Sequence, residues 1–282
     1  MTLWDLLVDP FAYGFMERAL VASLAAAIVC AVLSCWLVLV GWSLMGDAVS
    51  HSVLPGVVLA YVVGLPFAVG AAAFGFLAVA LIGAVREGRR VKEDAAIGIV
   101  FTTLFALGLV LISVTPSQTD LNHIVFGNVL GVDAGELWQV VGIAALVLVV
   151  LLVKRRDLTL VAFDPTHAFA IGLSPSRLRW LLLALLALTT VVALQTVGVV
   201  LVVAMLITPG ATARLLTDRF DRMLLVAPAA SALCALVGLY GAYYLDTAPG
   251  AMIVLAQGCL FALVFLLAPR HGVLARARRR SR

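Results

Sequence analysis

Charge in this chain is almost wholly excluded from a series of apolar runs close to twenty residues long, and that spacing limits the available folds more than any single motif. About twenty apolar residues is the length of helix that crosses the hydrocarbon core of a bilayer. Such runs fill most of the sequence, at about 19–40, 44–65, 66–85, 95–115, 136–153, 178–195, 196–213, 223–245 and 250–268. The second and third abut at Gly64-Leu65-Pro66, the sixth and seventh abut at Gln195-Thr196, and Pro209-Gly210 interrupts the seventh. Eight spans with a re-entrant segment therefore fit nearly as well as nine. Alternating ten-residue strands of a membrane barrel are absent, so the spans are helical. A hydrophobic share of 64% and a mean hydropathy of +1.16 exclude an ordinary soluble domain. The expectation is an all-α polytopic membrane protein with one transmembrane domain over 19–268, an extracytoplasmic segment 1–18 and a basic cytoplasmic tail 269–282. Asp5, Asp9 and Glu17 precede the first run where a cleaved leader would be basic, so the first span is expected to stay in the mature protein.

Where the basic residues fall predicts orientation. Arg86, Arg89, Arg90 and Lys92 share one loop; Lys154, Arg155, Arg156, Arg177 and Arg179 flank another; Arg214, Arg219 and Arg222 form a third group; the tail carries six arginines. These are 18 of the 19 Lys and Arg residues, all on one side of a nine-span chain. The loops 116–136 and 246–250 hold acids and no Lys or Arg. By the positive-inside rule the basic loops and the C-terminus are cytoplasmic. That rule also accounts for the net charge of +4, so no nucleic-acid partner is expected. Cys30, Cys35, Cys234 and Cys259 lie in apolar runs without a CxxC pair, as free thiols packed like small hydrophobes do.

One ionisable pair stands apart. In "LMGDAVSHSVLPG" Asp47 and His51 sit four residues apart in an apolar segment, on one face of a helix. A carboxylate and an imidazole converging there supply half a site for a divalent transition metal. Two other readings of the pair stay open: Asp47 as a helix-terminal acid, and the pair as a proton relay. Pro55-Gly56 follows one turn later and predicts a broken, pathway-lining helix, because irregular backbone at membrane depth is tolerated only inside protein or along a cavity. No HExxH, GxSxG or GxxxxGK[ST] is present to make the chain a hydrolase or an ATPase.

The stretch "LMGDAVSHSVLPGVVLAYVVGLP" resembles the signature of the manganese/zinc/iron permease subunits of bacterial ABC importers. Further similarities follow in order: "EDAAIGIVFTTLFALGLVLIS" (93–113), "FGNVLGV" (126–132), "AFDPTHAFAIGLSP" (162–175) and "VGVVLVVAMLITPGATARLL" (197–216). The resemblance implies the type II ABC importer permease fold, shared with vitamin B12 and siderophore permeases, and a place in the bacterial inner membrane. It implies a homodimer in which Asp47 and His51 of each chain form a transient site for Mn2+, with Zn2+ or Fe2+ next, and no permanently bound cofactor. Its implied partners are two ATPase subunits, an extracytoplasmic metal-binding lipoprotein and membrane lipid.

The resemblance also places an ATPase-docking helix at 211–223, carried by Ala211, Arg214, Leu215, Leu216, Asp218, Arg219 and Phe220. By residues alone the same amphipathic stretch suits an anionic lipid surface equally. Asp164-Pro165 predicts a helix start, N-cap then proline, rather than a metal site beside His167. His123 and His271 are expected to be solvated. Asp120, Asp133 and Glu136 face outward, either to meet the binding protein or as solvated loop acids. A siderophore or cobalamin permease would need a wide path without convergent ligands. An intramembrane hydrolase would need a third fixed ligand that no other span offers, and a proton-coupled transporter would show inverted repeats that are not evident.

Overall fold

The computed structural model describes residues 13–87, 92–115 and 129–268. The tail 269–282, the segment 1–12, and Arg89, Arg90, Asp120, His123 and His271 lie outside the described residues. Among the described residues there are helices and no strands. They are α1 (Gly14–Val40), α2 (Ser43–Ser52), α3 (Leu54–Val63), α4 (Phe67–Glu87), α5 (Glu93–Val114), α6 (Ala134–Val153), α7 (Arg155–Phe163), α8 (Pro165–Ala170), α9 (Pro175–Val197), α10 (Val199–Leu216), α11 (Phe220–Leu245) and α12 (Pro249–Leu267), with a short 3-10 turn at Val129–Gly131 before α6.

Eight helical stretches are long and apolar enough to cross a membrane, with Leu201–Leu216 as a shorter apolar one. The second of the eight, Ser43–Val63, is α2 and α3 together, broken at Val53. The seventh expected span is the shorter helix α10, which is about 27 Å long at 1.5 Å per residue. It nonetheless runs between the two ends of the bundle. Its cap Gly198 follows Val197, against which Gly250 packs, and it ends at Leu216, four residues before Phe220, whose ring meets Trp36 edge-on at 5.1 Å.

Helix α1 forms the centre, packed by α6, α9, α10 and α11. Its side chains from Ala26 to Leu37 are nearly all buried, and small residues dominate its upper half, which lets the neighbouring backbones close in without a hydrophobic gradient between helices. At the first end Met16 and Ala19 pack on Leu239, and Arg18 Nε donates to the Val132 carbonyl at 3.1 Å. That bond gives a role to the one basic residue outside the basic clusters: it ties the start of α1 to the turn before α6. At the opposite end Trp36 Nε1 donates to Thr159 Oγ1 at 3.2 Å, and Cys35 Sγ lies 3.6 Å from the Met223 carbonyl. Lys154, Arg155, Arg156, Arg177, Arg179, Arg214, Arg219 and Arg222 all lie at this second end.

Peripheral faces expose long aliphatic side chains, among them Leu107, Val110, Leu146, Val149, Leu233 and Leu263, as helices bathed in lipid do. Four free cysteines are present; Cys30, Cys35 and Cys234 are buried and Cys259 is on the exposed face of α12.

Candidate functional site

Asp47 lies mid-way along α2 and His51 in its last turn, and the helix is flanked by α4, α5, α9 and α10. The cap of this helix is Trp42, and Asp47 is its fifth residue, so the helix-terminal reading of Asp47 is corrected: its carboxylate is a full turn inside the helix, past the unpaired amides a capping acid serves. His51 Nδ1 stands 3.2 Å from Asp47 Oδ1, 3.1 Å from the Asp47 carbonyl and 3.2 Å from Ser50 Oγ. The Ser50 hydroxyl itself donates to the Asp47 carbonyl at 2.8 Å. The imidazole is wedged edge-on between the rings of Phe101 and Phe105 of α5, each centroid 5.4 Å away. This clamp leaves the His51 side chain 16% exposed, whereas that of Asp47 is 37% exposed.

The spacing of the two side chains is chemically telling. Two donors each about 2.1 Å from one metal ion, at roughly a right or tetrahedral angle, are about 3.0–3.4 Å apart. Nδ1 and Oδ1 stand at that separation, which is also the length of a hydrogen bond between an imidazole and a carboxylate. Among the described residues no group of three or more His, Cys, Asp or Glu side chains converges, so one chain offers two donors at most.

The sequence singled out Asp47 and His51 but not the pair of phenylalanines that orients the imidazole. The available signal was their four-residue spacing in "FTTLF", which puts both rings on one face of the next span. Pro55 and Gly56 fall in the first turn of α3 and are buried. Gly56 meets the backbone of Gly70 and the ring of Phe74, so its bare face is filled by α4.

The expected docking segment is not one helix. Ala211, Arg214, Leu215 and Leu216 close α10; Thr217 is extended; Asp218 and Arg219 form the turn; and Phe220 opens α11. Arg214, Leu216, Asp218 and Arg219 are exposed, whereas Phe220 turns inward to Trp36. The physical reason is Thr217, whose extended backbone ends α10 before the apolar stripe can continue. Asp164 caps α8 by accepting from the His167 amide at 2.8 Å, with Pro165 in the first turn, as the Asp-Pro pair predicts. Asp133 and Glu136 form a reciprocal capping box at the start of α6, Asp133 accepting from the Glu136 amide at 2.7 Å. Those two acids are thus committed to a helix start.

With this geometry in view, comparison with known proteins is decisive. The ABC 3 transport family profile matches residues 12–268. The chain belongs to that family. It is 50% identical over 279 residues to the manganese transport system membrane protein MntB of Synechocystis, covering 99% of this chain and 91% of that protein. The chelated iron transport system membrane protein YfeC of Yersinia pestis is 48% identical over 271 residues, covering 96% and 92%. PsaBC from Streptococcus pneumoniae, solved in complex with a Fab, superposes with a TM-score of 0.90 over 100% of both chains at 36% identity. A metal-chelate type ABC transporter in an inward-facing conformation gives a TM-score of 0.71 over 88% of this chain and 85% of that one at 19% identity, which speaks for the fold alone.

Family membership makes this chain the permease subunit of a metal ABC importer with the type II importer fold. It is a transport subunit and not an enzyme, and ATP hydrolysis belongs to a separate subunit of the transporter.

Proposed function

We propose that this ABC 3 permease carries a divalent transition metal inward as a homodimer, with Asp47 and His51 of both copies forming a transient site on the path. Mn2+ is the first choice of cargo; Fe2+ and Zn2+ are the next ions that a carboxylate–imidazole set accepts. The observation that carries the proposal is the 3.2 Å spacing of Nδ1 and Oδ1 on a short helix that ends at Ser52. Two donors from one chain are too few for a site, and a second copy brings two more. Two carboxylates then offset the charge of a divalent ion in a poorly solvated path. The manganese and iron relatives are consistent with such a cargo.

The mechanism follows from the same parts. A metal-binding lipoprotein delivers the ion at the end that carries the acids, with the basic end and the C-terminus cytoplasmic. The ion displaces the proton at Nδ1 and pauses between the paired sites, where affinity stays moderate because a closed tight site would trap it. Two ATPase subunits dock on the segment that carries Ala211, Arg214, Leu215, Leu216, Asp218 and Arg219. Phe220 passes their movement to Trp36 and the central helix. The break at Val53, followed by Pro55 and Gly56, lets α2 shift while α3 stays locked to α4.

Cellular Mn, Fe and Zn content in a strain that depends on this permease tests the reading, at matched membrane levels of the protein. Asp47→Ala and His51→Ala are each expected to cut accumulation of one metal by about tenfold or more, since each removes a donor and leaves the other unpaired. Accumulation that survives both substitutions removes the pair from the path.

A further inference from the structure

The basic end of the bundle holds a second feature beside the docking segment. A groove of about 470 Å3 runs between α7 and the start of α11, lined by Arg155, Arg156, Thr159, Leu160, Phe163, Phe220, Asp221 and Leu224. Among the described residues neither guanidinium has an ion-pair or hydrogen-bond partner, while neighbouring Lys154 is paired to Asp157 at 3.2 Å. The groove lies at the start of α11 and just past the end of α6, two helices long and apolar enough to cross a membrane. Its surroundings are apolar and outward-facing: Phe163 is 62% exposed and Leu225, beside Leu224, is 74% exposed.

We propose that this groove binds an anionic phospholipid with a single phosphodiester charge and a hydroxylated headgroup, phosphatidylglycerol being the simplest. The two guanidiniums take the phosphate, a geometry in which arginine forks match phosphate oxygens. The Thr159 oxygen already accepts from Trp36 and keeps its own proton to donate. Asp221, the one acid in the lining, repels a second negative charge and accepts hydrogen bonds from headgroup hydroxyls. It thereby favours a singly charged polyol head over a phosphomonoester. Leu160, Phe163 and Leu224 form an apolar floor for the first methylenes, and the remaining chain lies along the exposed face of α11. Basic pockets between spans at the cytoplasmic surface hold anionic headgroups for the same physical reason.

The test is lipid retention by the purified transporter, permease with its ATPase subunits, followed by native mass spectrometry in mixed micelles of phosphatidylglycerol and phosphatidylcholine. The native protein is expected to retain phosphatidylglycerol roughly tenfold over phosphatidylcholine, and Arg155→Gln with Arg156→Gln to abolish that preference. Arg177→Gln with Arg179→Gln removes the same charge at the same end outside this groove and is expected to leave the preference intact. Equal loss in both double variants means diffuse surface charge and overturns the proposal. Displacement of the bound lipid by millimolar glycerol phosphate also overturns it, because the site then reads a phosphate and not a lipid. Release of the ATPase subunits from the first double variant, with lipid retention unchanged, assigns the groove to the protein interface instead.

Discussion

The hydroxyl of Ser34 on α1 donates to the Ile207 carbonyl at 3.1 Å and accepts from the Gly210 amide at 3.0 Å, on either side of Pro209, whose ring removes a helical hydrogen bond from α10. In an apolar surround those two groups have no water to turn to. Ser34→Ala is expected to destabilise the detergent-solubilised protein by about 1–2 kcal/mol, read as a lower unfolding temperature; an unchanged temperature means that α10 satisfies its break internally. The same residue-level reasoning applies to the clamp on His51. Its ring direction is set by Phe101 and Phe105 as well as by Asp47, so Phe105→Ala is expected to lower metal accumulation several-fold at unchanged protein level. The effect is smaller than in His51→Ala because the donor itself remains. Transport at the native rate assigns Phe105 to packing alone.

Helices α3 and α4 cross where Gly56 meets Gly70, each backbone in contact with the other, so neither position has room for a Cβ. This contact anchors the second half of the broken span while the half bearing Asp47 and His51 is held by α5, α9 and α10. Gly70→Leu is expected to cost about 2–3 kcal/mol, or to abolish recovery of folded protein, because backbone stands where the side chain must go. Gly142, in the middle of α6 with nothing within 4 Å of its missing Cβ, is the matched control. Gly142→Ala is expected to leave thermal stability unchanged or raised by up to about 1 kcal/mol, since alanine is the better helix residue. Similar losses in both variants count against the crossing as the cause. At this scale the sequence marks Pro55-Gly56 as an irregular point, and the structure puts both in the first turn of α3, just after Val53, whose backbone stays right-handed helical. The glycine that packs on Gly56 lies fourteen positions away and is chosen by packing, which no local string records.

Across the whole bundle, basic side chains gather at one end, and from the positive-inside rule that end is expected to face the cytoplasm. In a variant of the protein with Cys259→Ser, Thr247→Cys at the far end is expected to react with an impermeant maleimide in intact cells, and Ser176→Cys at the basic end only after lysis. The reverse pattern inverts the orientation. Spans, their helical character and the ionisable pair follow from the sequence alone, because lipid penalises every unpaired backbone group and every stray charge, leaving length and charge as strong local signals. The family motifs, too, are local strings. Tertiary structure alone decided the rest: that α1 is the centre, that Phe101 and Phe105 hold His51, that Phe220 turns inward, and that Arg155 and Arg156 border a groove. Each of these is a choice of neighbour. In a chain whose helices are apolar on nearly every face, no pattern of hydrophobicity marks which face meets which, and shape complementarity between helices makes that choice.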